Sequence, residues 1–171
     1  RTARSPGAPR KPGGTKLGQT IRKWLLSPDT SFRHHYTEVL LFIADRLEHV
    51  ETVIKPALNE GLIVLCDRYK DSTYAYQQAG RQLDPDTIKM LNNLTDLEPD
   101  ITLLFDCPIE VGLNRAKSRA KLDRFEDEAY DFHARVSQAY HLLAKNNANR
   151  FHIINADDSI INVQNEMFNL L

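Results

Sequence analysis

The run Leu62-Ile63-Val64-Leu65-Cys66 is apolar without alternation, has the length of a strand, and stops abruptly at Asp67-Arg68. An unbroken apolar run of that length fits a strand buried on both faces, as in parallel sheets covered by helices on either side. Ile101-Thr102-Leu103-Leu104-Phe105-Asp106 has the same character, and Phe151 to Ile154 supplies a third, shorter run. Helical signals lie around them. A first helix is expected from Thr15, with Leu17, Ile21, Trp24 and Leu25 at helical spacing and a stop near Pro28. A long one is expected from about His34 to Asn59, with Tyr36, Val39, Leu40, Ile43, Leu47, Val50 and Ile54 as its stripe and Gly61 ending it. Asp84-Pro85 and Pro108 each open another helix, a further one spans about Glu126 to Asn146, and a last follows Asp158. This alternation predicts an α/β fold, a parallel sheet flanked by helices.

At 171 residues the chain has the size of one domain with a single substantial core. Hydrophobic residues at 42% and charged residues at 26% indicate a folded chain rather than a disordered one. Lys+Arg 22 against Asp+Glu 23 argues against duplex nucleic acid as partner, because such domains are usually basic. No apolar run approaches a membrane span and the first residues carry no signal-peptide core, so a cytoplasmic protein without a membrane partner is expected. Cys66 and Cys107 sit in or just past apolar runs and read as small buried hydrophobes in a reducing compartment. The six histidines show no metal-ligand spacing with them.

Three groups of residues offer chemistry. Asp67 and Arg68 fall where ligands bind in open α/β sheets, outside the carboxyl end of a strand. There an acid suits a metal and a guanidinium fork suits a phosphate, although an internal salt bridge capping the sheet has the same signature. Phe42 and Arg46 lie one turn apart and share a helix face with Glu38 and His49, away from the main apolar stripe. That pair reads either as a solvated charge beside a wide apolar face, or as a ring that stacks a planar base whose edge or phosphate the arginine bonds. Arg115 and Arg119, four apart, and nearby Arg124 form either a solvated basic face or a cluster for anionic groups.

Taken together, these segments resemble the thymidylate kinase family, bacterial type. The resemblance runs in order from Arg10 to the C-terminus and rests on four stretches: Arg10-Lys11-Pro12-Gly13-Gly14-Thr15, Phe42-Ile43-Ala44-Asp45-Arg46, Asp67-Arg68-Tyr69 with Ala75-Tyr76-Gln77, and Arg115 through Asp123-Arg124-Phe125-Glu126. It implies a P-loop NTPase-like fold of the nucleoside monophosphate kinase kind, and transfer of the γ-phosphoryl of ATP to dTMP, giving dTDP for nucleotide biosynthesis, with Mg²⁺. It further implies that Phe42 stacks on thymine and Arg46 contacts the nucleotide. Arg68 and Arg10 would bind the acceptor phosphate, and Thr73, Tyr76 and Gln77 would line base and sugar. Asp67 would lie near the magnesium, while Arg115, Arg119 and Arg124 in a lid over about 115–127 would approach the transferring phosphoryl group. A homodimer through the 34–59 helix is expected by the same resemblance.

The sequence departs from the family at Lys11, where relatives carry Glu, and at Ala120-Lys121, where many carry Gly-Glu. No G-x-x-x-x-G-K-[ST] occurs in the 171 residues, and residues 1–9, rich in proline and glycine, read as irregular where the family has a strand. A chain lacking the N-terminal strand or strands and phosphate loop is therefore expected, one that is poorly stable, aggregation-prone or dependent on dimerisation. A non-catalytic dTMP-binding remnant, a kinase of another deoxynucleotide and a helical interaction module are the competing readings.

Overall fold

The computed structural model describes residues 14–27, 29–119 and 123–170, so Arg10 and the 1–9 segment lie outside the described residues. Contacts divide the chain into two compact units, Arg1–Leu97 and Glu98–Leu171.

In the first unit, α1 (Lys16–Leu26) starts at Thr15, whose Oγ1 accepts from the Gly18 N–H at 2.9 Å. Such a cap satisfies one of the donors that every helix start leaves open. Of the four apolar residues expected at helical spacing, Ile21 and Leu25 are buried, whereas Leu17 and Trp24 are exposed. The expected long helix is present as three joined pieces: α2 (His35–His49), a wider π-helical stretch Val50–Ile54, and α3 (Lys55–Asn59). Pro56 accounts for the widening, because a proline inside an α-helix lacks an N–H and clashes with the carbonyl four residues back. The Lys55 N–H instead reaches the Val50 carbonyl, five residues back. Gly61, at φ 74, then ends the helix: its N–H bonds Leu58 O at 2.9 Å and the Leu62 N–H bonds Ala57 O at 3.0 Å. This pair of bonds is the Schellman arrangement, which needs a left-handed residue where glycine stands.

Residues 62–66 correct one expectation. They carry no regular secondary structure and enter no ladder among the described residues. Leu62, Val64 and Cys66 are half-buried, whereas Ile63 and Leu65 are 62% and 78% exposed. Branched apolar side chains favour a strand, but a ladder also needs a neighbour whose N–H and C=O groups are in register. Beyond them come α4 (Lys70–Thr73), a second π-helical stretch Tyr74–Gly80, and α5 (Pro85–Asn92). Helix α5 is capped by Asp84, whose Oδ2 accepts from the Thr87 N–H at 2.8 Å and its hydroxyl at 2.6 Å. Val39 and Ile43 of α2 and Ile88 of α5 form the core, ringed by Tyr36, Leu47, Tyr74, Leu83 and Leu91.

The second unit holds two parallel strands, β1 (Thr102–Asp106) and β2 (Phe151–Asn155), in register from Thr102↔Phe151 to Asp106↔Asn155. Helices α6 (Ile109–Arg119) and α7 (Tyr130–Asn146) connect them, and α8 (Ile160–Leu170) follows. Phe132 and Val136 of α7 are buried, as are Phe151 and Ile154 of β2. Helix α7 begins later than the sequence indicated. Asp123 Oδ1 accepts from the N–H groups of Phe125 and Glu126, while Glu126 Oε2 accepts from the Asp123 N–H at 3.1 Å. This reciprocal cap closes one separate turn before the helix. No helix among the described residues is long and apolar enough to cross a membrane.

Candidate functional site

In the first unit the candidate residues fall into an exposed layer and a buried one. Arg68 sits at φ 65, in the left-handed region, which costs an L-residue other than glycine roughly 1–2 kcal/mol. Such departures persist where the surroundings enforce them, and they cluster at functional sites. Two contacts hold this one. The Cys66 thiol donates to Arg68 O at 3.2 Å, and Arg68 Nη2 donates to the Tyr76 hydroxyl at 2.8 Å, with its guanidinium carbon 4.5 Å from the Tyr76 ring centre. Asp67 beside it is exposed, and Phe42 is half-buried on α2.

Beneath lies Arg46, only 4% exposed. Its Nη1 donates to Asn92 Oδ1 at 2.6 Å, and its Nη2 donates to Thr73 Oγ1 at 2.5 Å and to Tyr69 O at 3.4 Å. Burial pulls its pKa down to about 10, an effect that nearby Tyr69, Cys66, Asp45 and Asp71 partly offset. The group therefore stays charged at neutral pH. Asn92 in turn donates through Nδ2 to Lys70 O at 3.2 Å, and Lys70 Nζ reaches Thr95 O at 3.1 Å. A second buried group joins Gln77 Nε2 to Glu38 Oε1 at 2.9 Å, with Arg81 Nη2 3.6 Å from Glu38 Oε2. The structure thus brings Arg46 to Thr73, Arg68 to Tyr76 and Gln77 to Glu38.

Sequence reasoning passed over Asn92 and the burial of Glu38. Asn92 had a signal, since it stands four residues after Ile88 on α5 and both are fully buried. A polar residue on the apolar face of a helix calls for a specific partner.

In the second unit Arg115 is on α6, where Nη1 donates to Ala156 O at 2.6 Å and Nη2 lies 3.4 Å from Asp157 Oδ1. The Arg124 guanidinium packs 4.7 Å from the Phe125 ring centre. Arg119 is the last residue of α6, and its side chain is outside the described set. At the carboxyl ends of β1 and β2 opens a cleft of about 630 Å³ lined by Asp106, Glu110, Tyr130, His141 and Asn155 among others. Within it His141 Nε2 is 2.9 Å from Asp106 Oδ2, and the Tyr130 hydroxyl donates to Glu110 Oε1 at 2.8 Å. Glu110's own backbone N–H, then Tyr130, holds its carboxyl below the usual range, and the same bond raises the tyrosine.

The family model for thymidylate kinase matches residues 7–167. The chain belongs to the thymidylate kinase family. It is 51% identical over 143 residues to a thymidylate kinase of Trichodesmium erythraeum, covering 81% of this chain but only 64% of that relative. It is 45% identical over 164 residues to one of Pseudomonas putida, covering 95% of this chain and 78% of the relative. Among solved structures, the crystal structure of thymidylate kinase from Ehrlichia chaffeensis superposes with a TM-score of 0.73 at 34% identity, covering 94% of this chain and 76% of the other. The fold class is that of the thymidylate kinases, an α/β P-loop NTPase-like fold with a parallel sheet and flanking helices.

Proposed function

We propose that the chain serves phosphoryl transfer from ATP to dTMP, giving dTDP, and that the first unit carries the dTMP site. The observation that carries this reading is the turn at Arg68. A left-handed backbone presents an exposed guanidinium, braced by Tyr76, just after the apolar run Leu62 to Cys66. A guanidinium so fixed matches two oxygens of a phosphate, and its planar fork loses little freedom on binding. Phe42 would stack on the base, with Arg46 at its edge and Thr73, Tyr76 and Gln77 beside base and sugar. Arg10 would add to the phosphate contacts.

Phosphoryl transfer leaves little covalent work to a protein, so positioning and charge neutralisation carry it. Arg115, Arg119 and Arg124 would supply positive charge to the transferring group. Arg115 must first leave the Ala156 carbonyl and Asp157. Among the described residues no group of three or more His, Cys, Asp or Glu could hold a metal alone. Mg²⁺ arriving with nucleotide phosphates needs only one or two protein carboxylates, and exposed Asp67 is the residue that would hold it. The ion would neutralise phosphate charge. Cys66 and Cys107, read from the sequence as reduced thiols, suit a cytoplasmic setting, and exposed Leu40 and Leu58 on the α2–α3 helix support a homodimer through it.

The test is calorimetric titration of the folded chain with dTMP, together with a coupled assay for ADP release on adding Mg·ATP. The chain is expected to bind dTMP, and Arg68→Ala to weaken binding about 10- to 100-fold, the range for hydrogen bonds to a charged group. A folded chain that binds no dTMP would refute the proposal.

A further inference from the structure

Asn92 stands outside every motif of the chain, yet it is fully buried and makes two opposed hydrogen bonds through one amide. Its Oδ1 accepts from Arg46 Nη1 at 2.6 Å, while its Nδ2 donates to the Lys70 carbonyl at 3.2 Å. Lys70 is two residues after Arg68, and it opens α4, which carries Thr73. A single planar group therefore links the α2 arginine to the segment that sets the Arg68 turn. The two bonds require opposite ends of the amide, so they fix its orientation and leave it no alternative flip. We propose that Asn92 is a positioning residue of the dTMP site: its oxygen holds the Arg46 fork for the edge of the base, and its amino group holds the Lys70 backbone, keeping the phosphate-binding turn in register with it.

The inference rests on the dTMP reading above and deepens it. Three donors of Arg46 are committed within the protein, to Asn92, Thr73 and Tyr69. The direction of the rest of the fork follows from those three anchors, and Asn92 supplies the one at Nη1. A guanidinium held in this way selects a carbonyl on the base, which thymine carries where cytosine carries an amino group. Losing the anchor loosens that selection before it abolishes binding. The Lys70 bond acts at the other end of the ligand, where the phosphate would sit.

The experiment measures dissociation constants of dTMP, dCMP and thymidine for the unmodified chain, Asn92→Ala and Asn92→Asp, with the thermal midpoint of each. Asn92→Ala is expected to reduce the dTMP-over-dCMP preference about tenfold, as loss of one well-placed buried hydrogen bond does. Asn92→Asp keeps the acceptor for Arg46 but sets a carboxylate against the Lys70 carbonyl. It is expected to retain the preference for dTMP over dCMP and to lose part of the gain of dTMP over thymidine. It also decides the matter if Asn92→Ala does not fold. Equal weakening of all three ligands, or an unchanged preference in folded Asn92→Ala, overturns the proposal, as does loss of the preference in Asn92→Asp. An unmodified chain that ignores dTMP overturns the parent reading instead, and is recognised before any variant is compared.

Discussion

The buried Arg46–Asn92 contact makes a prediction whose size follows from the structure. Depression of the arginine to about 10 corresponds to about 3 kcal/mol working against the charged form in the folded state. Against that stand two short bonds from a charged donor, to Asn92 Oδ1 and Thr73 Oγ1, worth about 1.5–3 kcal/mol each. Together the two bonds meet that cost and exceed it by up to about 3 kcal/mol, so Arg46→Met should destabilise by only about 1–3 kcal/mol. Asn92→Leu alone should cost more, about 3–5 kcal/mol, because it leaves a buried charge short of an acceptor. The double variant removes both partners and should fall short of the summed single effects by about 1.5–3 kcal/mol. Urea unfolding followed by far-ultraviolet circular dichroism measures all four chains, and equal m-values confirm that the same transition is compared. Effects of the two substitutions that simply add, with a coupling below about 0.5 kcal/mol, would refute the reasoning and dissociate the two residues.

Three other outcomes are expected. Ile88→Ala, at a fully buried position of the first unit's core, should lower stability by about 2–5 kcal/mol in the same urea experiment. Arg68→Gly should be more stable than Arg68→Ala by about 1–2 kcal/mol, since both lose the guanidinium while only glycine relaxes at φ 65; equal stabilities would mean the turn is unstrained. Asp84 is held below its usual pKa by the Thr87 hydroxyl and then the Thr87 N–H, so its contribution is present above the unfolded value near 3.8 and disappears as pH falls through the folded one. The stability difference between the unmodified chain and Asp84→Ala should therefore be constant at neutral pH and vanish in acid, and one that grew in acid would contradict that assignment.

Local signals in the sequence carried much of the fold. Thr15, Asp84-Pro85 and Gly61 mark helix boundaries because each supplies a cap or backbone geometry that depends on one side chain and its near neighbours. The apolar runs at Thr102–Asp106 and Phe151–Asn155 likewise became strands. What escaped was non-local. Leu62 to Cys66 has the apolar composition of a strand but forms no ladder among the described residues, because pairing is a property of a neighbour rather than of the run. The widened turns of Tyr74–Gly80 have no proline to announce them. The helix expected from about Glu126 begins instead at Tyr130, because the Asp123/Glu126 pair closes a turn of its own and a capping box specifies one turn and not the helix beyond it. Helical arithmetic placed Glu38 and Arg46 together on α2 and off the apolar stripe, which is correct. It could not show that this polar face is also covered, since the cover comes from Thr73, Gln77 and Asn92, all more than two dozen residues away in sequence.

That covering has a consequence for how salt should act on the proposed site. Arg68 and Asp67 are exposed, so counterions reach them, and at 0.15 M salt the Debye length of about 8 Å already weakens attraction at the surface. Arg46, Thr73 and Gln77 are buried, and Arg46 acts through short bonds in a low-dielectric setting that ions do not enter. The base end of the ligand should therefore be recognised almost independently of ionic strength and the phosphate end strongly dependently. Thymidine reports the first alone, and the ratio of thymidine to dTMP dissociation constants reports the second. Raising salt from about 0.02 M to about 0.5 M should leave thymidine affinity within twofold while shrinking the phosphate gain several-fold. A thymidine affinity that falls in parallel with that of dTMP would mean that the base end is open to solvent ions. The buried Arg46 network would then be a support of the fold alone rather than a contact surface for the nucleotide.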